Sequence, residues 1–287
     1  MNNGRRAGPK SKPVQVLRCG VRSTAASILF HREISKTPVK VQFQCWCVQS
    51  GDRTILVDVG LPTGDGRLMP IEGARSTKSL LAEGLDARLI TDVVVTHLHW
   101  DHAGDLDLFA NAAIYVQARE IDFVRSSLFR RRALRDLFIH EQKLEWLLAN
   151  KNLRAVDEDA TIAPGVEVRW VGGHTPGSQL VLVDAGEAEY VFTGDVVNTY
   201  RNLVEDLPPG IVWNMAEALA ALDTVRALQA VGKKVVPSHE LLPSIPSFVP
   251  PHVVGEGVKM TSGVHAHEEK AQDIASCAAL SSELKRS

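Results

Sequence analysis

The chain has 287 residues, 45% of them hydrophobic and 23% charged, with a formal net charge of −2. That is ample material for a large core, without the basic excess of a nucleic-acid-binding surface or any run near the roughly 18 apolar residues of a spanning helix. Four cysteines, Cys19, Cys45, Cys47 and Cys277, form neither a C-x-x-C pair nor a dense disulfide framework, and read as free thiols of a reducing compartment.

Residues 1–13 carry Arg5, Arg6, Lys10 and Lys12 with little apolar content, and read as a disordered basic arm. No apolar stretch follows those charges, so secretion is not expected and a cytoplasmic location is. Residues 14–17 and 26–30 read as two short strands. Residues 41–48, V-Q-F-Q-C-W-C-V, alternate strictly. A strand there places Val41, Phe43, Cys45 and Cys47 on one face, with Gln42, Gln44 and Trp46 on the other. Gly51-Asp52 supplies a turn, and residues 53–59 return as a strand. Asp58 is either a turn residue or a buried carboxylate that takes hydrogen bonds from the next loop or orients a ligand imidazole. A mobile Gly/Pro-containing loop from Gly60 to about Gly73 then leads to a helix over about 77–83, capped by Ser76 and ended by Gly84.

The apolar run Val93-Val94-Val95 precedes T-H-L-H-W-D-H-A-G. Residues two apart in an extended or turning backbone point the same way, so His97 and His99 can converge on one metal ion. Asp101 and His102, displaced into the following turn, can face a second. Imidazole and carboxylate donors suit zinc, and two ions need more ligands than these four residues supply.

A strand over 113–116 and a short helix over 119–126 come next. Leu134, Leu137, Phe138, Leu144, Leu147 and Leu148 recur at helical spacing, which predicts one amphipathic helix over about 133–150. Strands follow over 166–171, 179–183, 190–193 and 234–236. Before the last, Asn214 caps a helix reaching residue 230, with Glu217 as its capping-box partner and Leu219, Leu222, Val225 and Leu228 as its apolar stripe. Beyond Pro250 the residues turn small and polar, so residues 251–287 read as a tail, weakly helical or disordered, and residues 14–250 as the domain.

The missing ligands stand just past strand ends: His174 in G-G-H-T-P-G-S, Asp195 after Y-V-F-T-G, and His239 in V-V-P-S-H-E. Polar residues so placed can gather at one rim of a sheet. Strand pairs followed by alternating strands and helices suggest two packed sheets with helices outside.

With these seven residues, the chain resembles the metallo-β-lactamase-fold hydrolases, and within that superfamily most resembles the N-acyl homoserine lactonase family, over residues 14–246. The resemblance implies an α+β fold, an αββα sandwich of two mixed sheets with outer helices and metals at one edge. Carried over by position, it puts His97, His99 and His174 on one zinc ion and Asp101, His102 and His239 on a second, with Asp195 bridging; manganese, cobalt or iron are substitutes. It further implies that a metal-bridging hydroxide opens the ring of an N-acyl homoserine lactone or related lactone, with Asp101 passing a proton to the leaving alkoxide.

The tyrosine that contacts substrate in well-known members, three residues past the bridging aspartate, is Asn198 here. Tyr200 is the nearest residue to take that role. This departure bears on the substrate rather than the fold: hydrolysis of another ester, a thioester or an amide is the alternative on the same metals, and a metal-binding sensor without turnover is the non-enzymatic one. The expected partner is a small-molecule lactone or ester, with no nucleic acid and no membrane, in a homodimer if related lactonases are a guide. Loops over about 61–73, 126–132 and 200–213 are expected to surround the metals, where Leu61, Met69, Leu203, Leu207, Ile211 and Trp213 either line a channel or pack on one another.

Overall fold

The alternating strand over residues 41–48 is buried on both faces, and the neighbours of each face define the layers. The computed structural model describes residues 12–64, 71–82, 85–186 and 188–241. The expected tail, Met69 and all but Lys12 and Pro13 of the expected arm lie outside them.

Strand β1 (Lys12–Thr24) pairs antiparallel with β2 (Val39–Ser50), and β2 with β3 (Arg53–Val57). From there the sheet runs parallel through β4 (Asp92–Val94), β5 (Ala113–Gln117) and β6 (Leu153–Val156). A second sheet takes β7 (Ala160–Ala163), β8 (Val166–Trp170), β9 (Gln179–Asp184) and β10 (Glu189–Phe192) as antiparallel neighbours, and closes with β11 (Lys234–Val236) parallel to β10. Both sheets are therefore mixed.

Trp46 and Val48 of β2 meet Val168, Val181 and Phe192 of the second sheet in one apolar cluster, with the Trp46 and Phe192 rings 4.9 Å apart. The opposite face of β2, carrying Phe43, Cys45 and Cys47, packs in a separate cluster with Leu80 of α2 (Thr77–Ala82), Ile121 of α3 (Ala118–Arg125) and Leu147 of α5 (Glu141–Ala149). On the far side, β9 splits in the same way: Val181 and Val183 face the first sheet, and Leu180 and Leu182 face Leu222 and Val225 of α7 (Met215–Ala230). The layers are helix, sheet, sheet, helix, as expected. Emptying a site such as Trp46 would cost about 3–5 kcal/mol.

Several local expectations are corrected. The first strand is one long element through Thr24, and residues 26–29 form a helical turn, α1 (Ala26–Leu29), whose carbonyl from Leu29 accepts from the side chains of Asn198 and Asn202. The helix expected over 133–150 is broken into α4 (Arg132–Arg135) and α5. Between them the backbone pairs with the histidine loop: Ile139 N–H donates to Leu98 O, Trp100 N–H to Leu137 O, and the Phe138 ring stands edge-on to His99 at 4.8 Å. This tertiary pairing overrides helical periodicity that no glycine or proline interrupts. In α7, Asn214 caps as expected, but the stripe is carried by Ala218 and Ala221 with Leu222, Val225 and Leu228, while Leu219 is exposed. Glu217 does not close a capping box; its Oε2 accepts from Gly173 N–H at 3.1 Å. Strands β6 and β7 and the short helix α6 (Tyr200–Val204) were not anticipated; each has only four or five residues, too few for a periodic signal.

The parallel pairings position the site. Val57 stands beside Val94 in β3 and β4, and Phe192 beside Val236 in β10 and β11. Strands that share direction and register end at the same rim, so the residues just beyond them, Asp58 and the histidine loop on one sheet and Asp195 and His239 on the other, converge. Gln179, at the start of β9, fastens the two rims together, its N–H on Thr96 O at 3.0 Å and its Nε2 on Val95 O at 2.7 Å.

Candidate metal centre

All seven expected ligands meet at that rim. Donor atoms of His97, His99, His174 and Asp195 lie within 4.8 Å of one another, and those of Asp101, His102 and His239 form a second such group. Asp195 stands between them. Its Oδ1 is 3.0 Å from Nε2 of His102 and 3.1 Å from Nε2 of His239, while its Oδ2 faces His174 Nε2 at 3.5 Å. Asp101 is looser, with Oδ2 at 3.8 Å from His102 and 3.6 Å from His239.

The imidazoles are aimed by contacts on their far sides. Nδ1 of His102 faces Asp58 Oδ2 at 2.8 Å, Nδ1 of His174 donates to Ile211 O at 2.7 Å, and Nδ1 of His239 donates to Gln42 O at 3.1 Å. His97 Nδ1 meets the Thr96 hydroxyl at 3.2 Å. Fixing one ring nitrogen this way dedicates the other to the cluster. The buried Nε2 of His97 has no hydrogen-bond partner among the described residues, and Nε2 of His102, though close to Asp195, lacks the alignment of a hydrogen bond. Buried polar atoms left this way are rare unless something else binds them. Five imidazoles and two carboxylates in two groups match the donor set of a two-zinc site.

Electrostatics agree with neutral imidazoles on one side and anionic oxygen between. Burial, with neighbouring His102 adding to it, pushes His97 well below the ordinary histidine range, and burial beside His174 does the same to His99. Burial also works against the charged forms of His102 and His239, but Asp195 and Asp101 outweigh it and raise both. Burial opposes ionisation of Asp195 as well; His239 and His102 reverse that and hold its carboxyl well below the usual range.

Asp58 realises both functional options raised for it. Besides orienting His102, it accepts from Thr96 N–H at 2.7 Å and the Thr96 hydroxyl at 2.9 Å, from a left-handed backbone at φ 58°. Gly194 is required where it stands, because a Cβ there would lie 2.7 Å from Thr96 Oγ1. Glu120 was missed. Fully buried on α3, it accepts from Leu98 N–H at 3.0 Å and Gly177 N–H at 2.8 Å, tying the His97–His99 turn to the turn carrying His174. Burial raises its carboxyl above the ordinary 4.5. An acid within a short helix looks solvated in sequence; its strand-to-helix position beside the site was the available signal.

Tyr200 is not brought to this centre. It begins α6, is 40% exposed, and its hydroxyl donates to Val235 O at 2.8 Å. Asn198 instead lines a cavity together with His99, Asp101, Asp195 and His239. Of the apolar loop residues, Ile211 lines that cavity, while Leu61 and Leu203 are buried in the clusters and Trp213 packs on Phe123 at 4.8 Å.

The sequence pattern of the metallo-beta-lactamase superfamily matches residues 41–239, from β2 to the last expected ligand. The chain belongs to the metallo-beta-lactamase superfamily. Among relatives in this superfamily, an N-acyl homoserine lactonase of a Bacillus species is 26% identical over 231 residues, covering 75% of this chain and 84% of the relative. A solved quorum-quenching N-acyl homoserine lactone lactonase superposes with a TM-score of 0.71 at 19% identity, over 84% of this chain and 99% of its own. AidC, a dizinc quorum-quenching lactonase solved with its N-hexanoyl-homoserine product, superposes with a TM-score of 0.65 at 19% identity, over 80% of this chain and 88% of its own. Superfamily membership and the His/Asp cluster together make the chain a metal-dependent hydrolase.

Proposed function

We propose that this chain is a dinuclear zinc hydrolase that opens the ring of a lactone, an N-acyl homoserine lactone or a related one. Asp195 carries the reading: its two oxygens face two separate histidine groups, the arrangement a ligand shared by two ions needs. Two zinc ions so held supply a water ionised near neutral pH and a Lewis acid for a carbonyl oxygen.

The chain's own residues account for the remaining requirements. Asp58, Ile211 O and Gln42 O fix His102, His174 and His239, so the ligand geometry is set before substrate arrives. Asp101 lines the cavity and is the carboxylate available to carry a proton to the leaving alkoxide. Asn198, where familiar lactonases have tyrosine, favours a related lactone over the acyl homoserine lactones themselves. No helix among the described residues is long and apolar enough to cross a membrane, and Cys19, Cys45 and Cys47 are free and buried; both features suit a cytoplasmic enzyme.

The test is turnover of lactones, aryl esters, thioesters and phosphodiesters by zinc- or cobalt-loaded protein. Lactones are expected to be hydrolysed fastest. Phosphodiester turnover exceeding lactone turnover by orders of magnitude would overturn the reading.

A further inference from the structure

One cation of β1 faces the metal cavity and takes no part in holding the ligands. The cavity is about 140 Å³. Arg22, Phe43 and Trp100 line it together with His99, Asp101 and His239. The guanidinium carbon of Arg22 stands 5.3 Å from the centre of the Phe43 ring and 6.0 Å from that of Trp100, and Phe43 in turn stands edge-on to His239 at 5.3 Å.

A bulge puts it there. Leu17 pairs with Cys45 and Gly20 with Phe43, so one extra residue is taken up between Arg18 and Gly20, and Arg22 falls opposite Val41. Directly opposed residues share a face, and a one-residue slip exchanges the faces of everything beyond it. Arg22 is thereby placed on the face of Val41 and Phe43, at the mouth of the site.

The rings satisfy the flat face of the guanidinium and leave its edge of N–H donors unmatched. Its Nε is buried without a hydrogen-bond partner, and no described carboxylate forms an ion pair with it. The two carboxylates that share the cavity, Asp101 and Asp195, lie against His102 and His239. A planar fork of donors is the natural complement of a carboxylate, and a cavity below the roughly 300 Å³ of a typical ligand pocket suits a compact molecule.

We propose that Arg22 is the specificity-determining residue of this cavity, binding a carboxylate that the substrate carries beside the bond to be cut. The substrate class is then a compact carboxylate-bearing lactone or ester. The inference rests on the hydrolase reading above, and it adds a group outside the metal ligands that selects what enters.

The experiment compares zinc-loaded wild type with Arg22→Gln and Arg22→Met on a γ-butyrolactone bearing a ring carboxylate and on the same lactone bearing a carboxamide. Calorimetry with tetrahydrofuran-2-carboxylate, which has no bond to cut, gives a second readout, and metal content and thermal melting verify that each variant is folded and loaded. The wild type is expected to prefer the carboxylate, and both variants to lower the carboxylate-to-carboxamide ratio of kcat/KM at least about tenfold, as loss of a charge-assisted hydrogen bond does. Binding of the furan carboxylate should weaken in parallel. An unchanged ratio and unchanged binding would overturn the role of Arg22 while leaving the lactonase reading intact. Failure of the wild type to open either lactone, with carboxylate binding still dependent on Arg22, would overturn the lactonase reading and support the anion site.

Discussion

Nδ1 of His102 lies 2.8 Å from Oδ2 of Asp58, a carboxylate with no solvent exposure. The same carboxylate holds Thr96, the residue before His97, so one buried acid sets the start of the histidine loop and the orientation of its last imidazole. Asp58→Asn keeps the size and removes the charge. Partners of ligand histidines typically account for 10–100-fold in metal affinity, and a loss of about that size is expected for the more weakly held ion, read by competition with a chelator. Unchanged affinity for both ions would mean that Thr96 alone aims the loop.

Asp195 makes the opposite kind of contribution, touching both histidine groups at once. Asp195→Ala is expected to abolish most turnover and leave fewer than two tightly bound ions per chain by elemental analysis. Two ions retained after dialysis would refute the bridging role.

Glu120 joins two turns that are remote in sequence, through Leu98 and Gly177. In Glu120→Gln an amide N–H replaces one accepting oxygen and faces a backbone donor. One buried N–H then goes unpaired, which costs about 1–3 kcal/mol. Denaturant unfolding should show that loss, together with reduced turnover as the His99 and His174 turns part. A midpoint equal to wild type would make the carboxylate a passenger.

The gathering of the seven candidate ligands and the layers were legible because both leave local marks. A metal ligand set needs particular residue types at particular strand ends, and the alternation over Val41 to Val48 states which side chains share a face. The break near Phe138 was not legible, since its cause is pairing with Leu98 and Trp100, some forty residues earlier. Glu217 was misread for a similar reason: a capping box and a long-range bond to Gly173 use the same residue at the same spacing. Arg22 was invisible because its facing depends on a bulge, and a bulge changes the parity of a strand without changing its composition.

Tyr200 was the residue expected to replace the tyrosine absent at Asn198, and its surroundings argue otherwise. Its hydroxyl is spent on Val235 O at 2.8 Å, and its backbone N–H is held by Glu240 at 2.8 Å. Asn198 occupies the cavity wall in its stead, anchored by its Nδ2 on Leu29 O at 3.1 Å, with its backbone carbonyl accepting from His239 N–H at 2.9 Å. Tyr200→Phe therefore removes one hydrogen bond to a strand carbonyl, worth about 0.5–1.5 kcal/mol, and should lower the melting temperature slightly while kcat/KM stays within about twofold of wild type. Asn198→Ala, by contrast, should raise KM in the turnover assay of the proposed lactone substrates, because Asn198 lines the cavity. If Tyr200→Phe instead reduced kcat tenfold with stability unchanged, the phenol would have to leave Val235 and reach the substrate during turnover.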